Sequence, residues 1–166
     1  MRSWDDALAV PFTWENRRVF LDMLDHRGKV KFALFCAKQV LGLTKDKRVY
    51  DAVAVVERWL EGRAKADECR VAADAAADAA ADADYAAANA AYAAAYAAYA
   101  AADAAYAAAD AAYAAAAADA AYDAAYAYTA YDKENTKDKQ TAYLKELTID
   151  ALPEDLKGCW LVVASL

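Results

Sequence analysis

Residues 82–113, DADYAAANAAYAAAYAAYAAADAAYAAADAAY, determine which fold this sequence can adopt. They belong to a longer alanine-rich tract. Residues 72–131 contain 40 alanines, and nearly all of the other 20 residues are tyrosine or aspartate. No glycine or proline occurs between Arg63 and Asp132. Because alanine has the highest intrinsic helix propensity, the composition predicts helix throughout the tract.

Two sets of residues recur every seven positions in the tract. One set contains only tyrosines: Tyr85, Tyr92, Tyr99, Tyr106 and Tyr113. The other set is polar: Asp82, Asn89, Tyr96, Asp103 and Asp110. Steps of three and four residues separate the two sets, so both lie on one stripe of a helix and methyl groups cover the remaining circumference. A strict period of seven drifts by about 20° per repeat, so the stripe keeps one orientation only if the helix supercoils or is interrupted.

The tract can form one helix or several. A single helix of 60 residues would be about 90 Å long, which exceeds the size of a compact chain of this length and would need a partner along its sides. We expect the tract to fold back on itself, with turns at residues 82–85 and near Asp103 or Asp119. Aspartate is a favourable N-cap, so each of these positions can start a new helix.

Two segments before the tract predict a helical hairpin with a conventional core. The first runs from Lys29 to Gly42, and the second can be capped by Asp46 and ended by Gly62. Each carries an apolar stripe with helical spacing: Val30, Leu34, Ala37 and Leu41 in the first, and Val49, Val53, Val56 and Leu60 in the second. Three aromatic residues widen the apolar face: Phe32, Phe35 and Trp59.

The remaining segments are also predicted to be mostly helical. Upstream of the hairpin we expect a short helix before Pro11, and a helix from about Trp14 to His26 that Thr13 caps and Gly28 stops. Downstream of the tract lie two segments and an apolar tail: a charged stretch over Lys133–Gln140, a short helix over Thr141–Thr148, and a tail after Pro153 that can be helical or extended.

We therefore predict a single all-α domain over residues 1–166, built as a helical bundle or as stacked helical hairpins. Residues 1–62 form the N-terminal helices, residues 63–132 form the alanine, tyrosine and aspartate tract, and residues 133–166 form the charged C-terminal helix and the apolar tail.

The net charge of −7 is concentrated in the tract. Residues 66–132 contain ten Asp and one Glu against Arg70, which gives −10 and leaves +3 for the rest of the chain. This acidity disfavours nucleic acid and anionic membranes, and it favours a basic protein partner. We find no signal-peptide pattern and too many carboxylates for a membrane helix, so we expect a cytoplasmic protein with reduced cysteines.

The sequence contains no assembled motif for catalysis, metal binding or a cofactor. We interpret the single histidine, His26, as a favourable charge at a helix C-terminus. Asp74, Asp78 and Asp82 share one helix face, and we interpret them as exposed carboxylates rather than as a cation site. Cys36 lies among apolar residues that disfavour a thiolate. We therefore predict a protein that is not an enzyme and that uses no metal and no cofactor.

Three segments resemble the alanine-rich "putative immunity protein" family of bacteria and their phages. They are KFALFCAKQVL (31–41), DKRVYDAVAVVERWLEG (46–62) and DKENTKDKQTAYLKEL (132–147), and the resemblance spans roughly residues 29–147. The resemblance implies an all-helical fold and a role in neutralising a toxin or in phage–host conflict. It transfers no catalytic residues.

We predict a phage-related or mobile-element-related protein that binds a protein partner stoichiometrically. Its candidate binding surface, the interaction stripe, consists of eight residues: Tyr85, Tyr92, Tyr96, Tyr99, Asp103, Tyr106, Asp110 and Tyr113. Tyrosine is favoured at interfaces because it has few rotatable bonds to restrict. Three alternatives stay open. The stripe can be only the more solvent-exposed side of a helical bundle. The chain can instead be a structural protein that self-assembles into homo-oligomers, or an acidic nucleic-acid mimic that inhibits a basic protein.

Overall fold

The computed structural model describes residues 4–102, 113–120, 122–123, 130–154 and 156–157. These residues form helices joined by short turns, without a strand among them. The predicted all-α class is confirmed. In chain order the helices are α1 Trp4–Leu8, α2 Arg17–Met23, α3 His26–Val40, α4 Lys47–Leu60, α5 Ala66–Ala81, α6 Tyr85–Ala102, α7 with residues 113–120 and 122–123 described, and α8 Ala130–Ala151.

The predicted hairpin is present as α3 and α4. Six members of the two apolar stripes are buried: Val30, Leu34, Ala37, Val49, Val53 and Val56. The Asp46 carboxylate caps α4 by accepting a hydrogen bond from the Arg48 amide at 2.9 Å. Gly62 has a φ of +75°, so it terminates α4 in the left-handed conformation that glycine adopts most easily. Phe32 is fully buried, whereas Phe35 and Trp59 are half-buried at the edge of the core.

The predicted helix from Trp14 to His26 is wrong at both ends. The chain turns at residues 14–16, and α2 ends at Met23. Asp25 starts α3 instead, because its carboxylate accepts a hydrogen bond from the Gly28 amide at 2.6 Å.

Gly28 therefore lies in the first turn of α3 and does not stop a helix. A Cβ atom there would lie 3.1 Å from the Asp25 Oδ1 atom, so the glycine leaves room for the cap. His26 is at a helix N-terminus, so the predicted C-terminal charge interaction is also wrong. Its ring meets the Trp59 ring edge-on, with centroids 5.1 Å apart.

α6 is the central helix and packs against α3, α4 and α5. Ten of its alanines are buried: Ala90, Ala91, Ala93, Ala94, Ala95, Ala97, Ala98, Ala100, Ala101 and Ala102. Methyl groups are small, so neighbouring helices can approach α6 closely and gain dispersion contacts along its length. Five alanines of α7 are buried as well: Ala114, Ala115, Ala117, Ala118 and Ala120. The alanine faces of these two helices are therefore buried, and their close approach to neighbouring helices stays a prediction.

The tract folds back on itself. α5 ends at Ala81, and α6 starts after a short turn in which the Asp84 carboxylate accepts a hydrogen bond from the Ala87 amide at 3.0 Å. The predicted turn at residues 82–85 is confirmed. Asp119 does not start a helix as expected, because it lies inside α7 and pairs with Arg17. The alternative near Asp103 falls outside the described residues.

α8 is one continuous helix, although the sequence suggested a charged stretch followed by a separate short helix. It packs against α2 and α3 through the buried side chains of Leu144 and Leu147. Tyr143 stacks on Phe35 of α3 with ring centroids 4.2 Å apart. These contacts anchor a helix whose sequence has little amphipathic pattern of its own. Among the described helices, none is both long and apolar enough to span a membrane.

Candidate functional site

Four tyrosines from α6 and α7 form a row of stacked rings, which we call the tyrosine stack. The order is Tyr92, Tyr96, Tyr113 and Tyr99. Successive ring centroids are 6.2, 6.5 and 5.7 Å apart, and adjacent rings are inclined by 24° to 26°. These are the separations of favourable offset stacking, so the rings hold one another in place.

The stack crosses from one helix to another. Along a continuous helix, Tyr99 and Tyr113 would be separated by about 21 Å. Their ring centroids are 5.7 Å apart, so α6 and α7 lie side by side. The stack is therefore a compact patch rather than a line along one helix.

The rings rest on the alanine core and keep part of their surface in water. Tyr92 is 39% exposed, and Tyr96, Tyr99 and Tyr113 are half-buried against the core. Tyr85, at the start of α6, is 62% exposed. An aromatic side chain that is packed on one side and wet on the other is typical of protein-binding surfaces.

Asp74 of α5 anchors one end of the stack. The Tyr99 hydroxyl donates a hydrogen bond to the Asp74 Oδ1 atom at 2.6 Å. This bond, with smaller contributions from burial and from the charges of Asp74 and neighbouring groups, raises the pKa of Tyr99 to about 12. The phenol therefore stays protonated at neutral pH and remains a donor to Asp74.

The surface beside the stack is acidic. Asp74, Asp78 and Asp82 are exposed on α5 and at its C-terminus, as predicted, and Asp84 is exposed in the following turn. Of these four carboxylates, Asp82 lies near Arg48, with a closest N–O distance of 3.8 Å. No cluster that could hold a metal ion occurs in the described parts of the chain.

A second group of contacts holds α7 to the N-terminal region. Arg17 donates a hydrogen bond to the Trp14 carbonyl at 3.0 Å, lies over the Trp14 ring at 4.4 Å, and forms an ion pair with Asp119. The Trp14 and Tyr122 rings are 5.9 Å apart. Asp119 is therefore engaged in an ion pair within the chain.

The cysteines described by the structure are unsuited to nucleophilic chemistry. Cys36 and Cys69 are free thiols and both are buried. Burial, and then the charge of Asp119, raises the pKa of Cys36 well above its usual value. Burial raises the pKa of Cys69 to about 11. Both side chains are therefore thiols rather than thiolates at neutral pH.

The structure describes five of the eight residues of the interaction stripe. Tyr92, Tyr96, Tyr99 and Tyr113 meet in the tyrosine stack, and Tyr85 lies exposed on α6, two turns before Tyr92. The other three members lie outside the described residues: Asp103, Tyr106 and Asp110. The role of the stripe in binding stays a prediction.

Asp74 is a partner of the stack that the sequence pattern did not predict. The spacing of Asp74 in the sequence grouped it with the other carboxylates of α5 as exposed residues. The structure confirms that these carboxylates are exposed. The hydrogen bond to Tyr99 depends on how α5 and α6 align across their turn. The sequence contains no signal for that alignment beyond the turn itself.

A comparison with protein families identifies one match. The family described as "Imm-5 like putative immunity protein" matches residues 20–146. The chain belongs to this family. The match runs from α2 into α8. It therefore includes the α3–α4 hairpin, whose sequence resembles the family, and also the tyrosine stack of this Imm-5 like chain. Comparison with the curated proteins and with the solved structures gives no match.

Proposed function

We propose that this Imm-5 like protein binds a protein partner stoichiometrically, without turnover, and that the interaction stripe is its binding surface. Family membership supports an immunity-type role. The observation that carries the choice of surface is the tyrosine stack, which presents four ordered rings on a methyl-lined core.

Order in the free protein favours binding through this surface. Association costs free energy when side chains lose rotamer freedom, by roughly 0.5–1.5 kcal/mol for each flexible side chain that is immobilised. Stacking already restricts the rings of Tyr92, Tyr96 and Tyr113, and the hydrogen bond to Asp74 restricts Tyr99. A partner that covers these rings therefore loses less affinity to ordering than one that covers flexible side chains.

The acidic surroundings favour a basic partner. Asp74 and Asp78 lie on α5 beside α6, and Asp84 precedes α6. Arginine and lysine side chains can pair with these carboxylates and lie over tyrosine faces, which are electron-rich. The same charges disfavour direct contact with nucleic acid or anionic membranes.

The alternative of self-assembly loses its main support. It required the alanine faces of a long helix to be covered by copies of the chain, whereas the alanines of α6 are buried within the chain itself. The alternative of a nucleic-acid mimic also predicts a basic partner. It differs because it predicts that charge alone determines the affinity for that partner. A cytoplasmic location and an association with phages or mobile elements stay predictions from the sequence.

Affinity capture from the native host with the wild-type protein, followed by titration calorimetry with the captured protein, tests this function. We expect the wild-type protein to bind with a fixed stoichiometry. The double variant Tyr92→Ala, Tyr96→Ala should bind at least tenfold more weakly, because removing two interface rings costs more than about 1.4 kcal/mol of binding free energy. Tyr50→Ala is the matched control, since Tyr50 is 42% exposed but lies outside the stack. An affinity that is equal for the double variant and the wild type refutes the proposed surface.

A further inference from the structure

Two glutamine side chains have buried amide groups that make no hydrogen bond to the described parts of the chain. Gln140 of α8 is fully buried, and both its Oε1 and its Nε2 atom lack a partner there. Gln39 of α3 is half-buried as a whole, but its two amide atoms are also buried and unpartnered. Buried polar groups in folded proteins are nearly always bonded to protein or to ordered water, so these two amides point to a ligand between the helices.

The packing of α3 on α8 places the two amides at one level. Phe35 stacks on Tyr143, and residues near the start of α3 share a cavity with Asp150 near the end of α8, so the two helices run antiparallel. Gln39 lies four residues after Phe35, and Gln140 lies three residues before Tyr143. Both amides are therefore displaced by about 5–6 Å from the stacked rings, in the same direction along the helix pair.

Arg17 of α2 contributes a third unpartnered group. Two of its nitrogens are engaged, by the Trp14 carbonyl and by Asp119, whereas Nε is buried without a partner among the described residues. Burial and the charge of Asp119 raise the pKa of Cys36, whereas the charge of Arg17 lowers it. Both charges therefore lie near Cys36, which is one turn before Gln39 on α3.

An ion pair fixes the position of Arg17 along α8. Glu15, two residues before Arg17, pairs with Lys137, three residues before Gln140, at 3.3 Å. The end of α2 and Leu147 line one cavity, so α2 and α8 run in the same direction. Arg17 and Gln140 therefore lie at the same level, and the three unpartnered groups meet where α2, α3 and α8 pack together.

These groups include both donors and acceptors. The Arg17 Nε–H and the two amide nitrogens donate, whereas the two amide oxygens accept. A cation is disfavoured by the guanidinium, and an anion is disfavoured by the amide oxygens and by the Asp119 carboxylate. Water both donates and accepts, and internal waters typically make about three hydrogen bonds to buried polar groups. Water is therefore the ligand that this set of groups fits.

We propose that Gln39, Gln140 and the Nε atom of Arg17 form one buried water site at the junction of α2, α3 and α8. The site bonds α8 to the rest of the bundle through polar contacts that its weakly amphipathic sequence does not reveal. It also joins α8 to α7, because the same guanidinium pairs with Asp119. The inference concerns how the helices are held together and is independent of the proposed binding surface.

A double-mutant cycle with leucine tests whether the two amides share one site. Gln39→Leu and Gln140→Leu each remove one amide and leave the other groups of the site incompletely bonded. Each should therefore lower the equilibrium constant for folding at least about fivefold in urea unfolding. The double variant should be at least about fivefold more stable than the product of the two single effects predicts, because it removes both amides together. Lys139→Leu is the matched control, since Lys139 is exposed beside Gln140 and should change the constant less than about twofold.

NMR magnetisation transfer from water to the glutamine side-chain amide protons detects the ligand in the wild-type protein. We expect both Gln39 and Gln140 to show the dipolar cross-peaks of a long-lived bound water. Gln140→Leu should weaken the cross-peak at Gln39 at least about twofold, whereas Lys139→Leu should leave it unchanged. This measurement does not depend on the variants of the cycle being fully stable, because its first part uses the natural chain.

Three results would overturn the inference. The first is an additive cycle, which would mean that the two amides are independent. The second is a Gln140→Leu variant that is more stable than the wild type, because the amide would then be unsatisfied rather than bonded to water. The third is coupling without any transfer from water, which would identify a direct bond between the amides.

Discussion

Enlarging one buried alanine of α6 tests the packing on which the architecture depends. Ala97 is fully buried in the helix that α3, α4 and α5 contact. Ala97→Leu adds three carbon atoms at this position. If there were room for them, their burial would stabilise the protein by about 2.4 kcal/mol, at roughly 0.8 kcal/mol per buried carbon. The sign of the measured change therefore reports the space around the methyl group.

We expect a loss of stability, because protein interiors have crystal-like packing density and methyl-lined helices leave no space for a branched side chain. Overpacking a core costs about 1–3 kcal/mol. For a chain of this length, 1 kcal/mol corresponds to roughly 2–4 °C in Tm, so the expected decrease is about 2–12 °C.

Urea unfolding followed by far-UV circular dichroism measures the free energy of unfolding, and Ala54→Leu is the matched control. Ala54 is exposed on α4, so the same three carbons should change stability there by less than about 0.5 kcal/mol. If Ala97→Leu is as stable as the wild type or more stable, neighbouring helices do not approach α6 to methyl contact. The close-packed alanine core would then be wrong.

Three further predictions concern single contacts. The Tyr99 phenol should titrate near pH 12, and Asp74→Asn should return the pKa of Tyr99 towards 10. The absorbance of tyrosinate measures both pKa values. Because the pKa is raised in the folded state, the stabilisation from this pair is complete below about pH 10 and is lost as the pH rises through 12, which urea unfolding at several pH values checks. Asp46→Ala should lower the free energy of unfolding by about 1 kcal/mol through loss of the α4 cap, whereas Asp46→Asn should retain most of it. Gly62→Ala should destabilise by about 1–2 kcal/mol, because alanine is strained at a φ of +75°; an unchanged Tm would contradict this.

The sequence was most informative where local chemistry determines structure. Apolar residues at helical spacing identified α3 and α4, the Asp46 cap and Gly62 fixed the ends of α4, and alanine composition predicted helices in the tract. The polar cluster within residues 82–85 located the turn between α5 and α6, because its aspartates can cap a new helix. Each of these features depends on residues within one or two turns of one another.

The sequence was less informative where the result depends on contacts between distant segments. A glycine can end a helix or lie in its first turn, and the choice at Gly28 depended on the competing cap from Asp25. Asp119 could have started a helix, but it lies within α7 and pairs with Arg17, about a hundred residues earlier in the chain. The tyrosine stack follows the same principle, since Tyr113 joins it through the packing of two helices.

The geometry of the stack also explains how a strict seven-residue repeat keeps its tyrosines on one side of a helix. Over the 18 residues of α6 the repeat drifts by only about 50°, so Tyr92, Tyr96 and Tyr99 still share one side. Interruption of the tract limits the drift. Folding back then places the Tyr113 ring beside Tyr96 and Tyr99, instead of about 21 Å beyond Tyr99 on a longer helix. The repeat thereby yields a patch of adjacent rings small enough for one partner to cover, whereas a continuous helix would have spread the same tyrosines along a line.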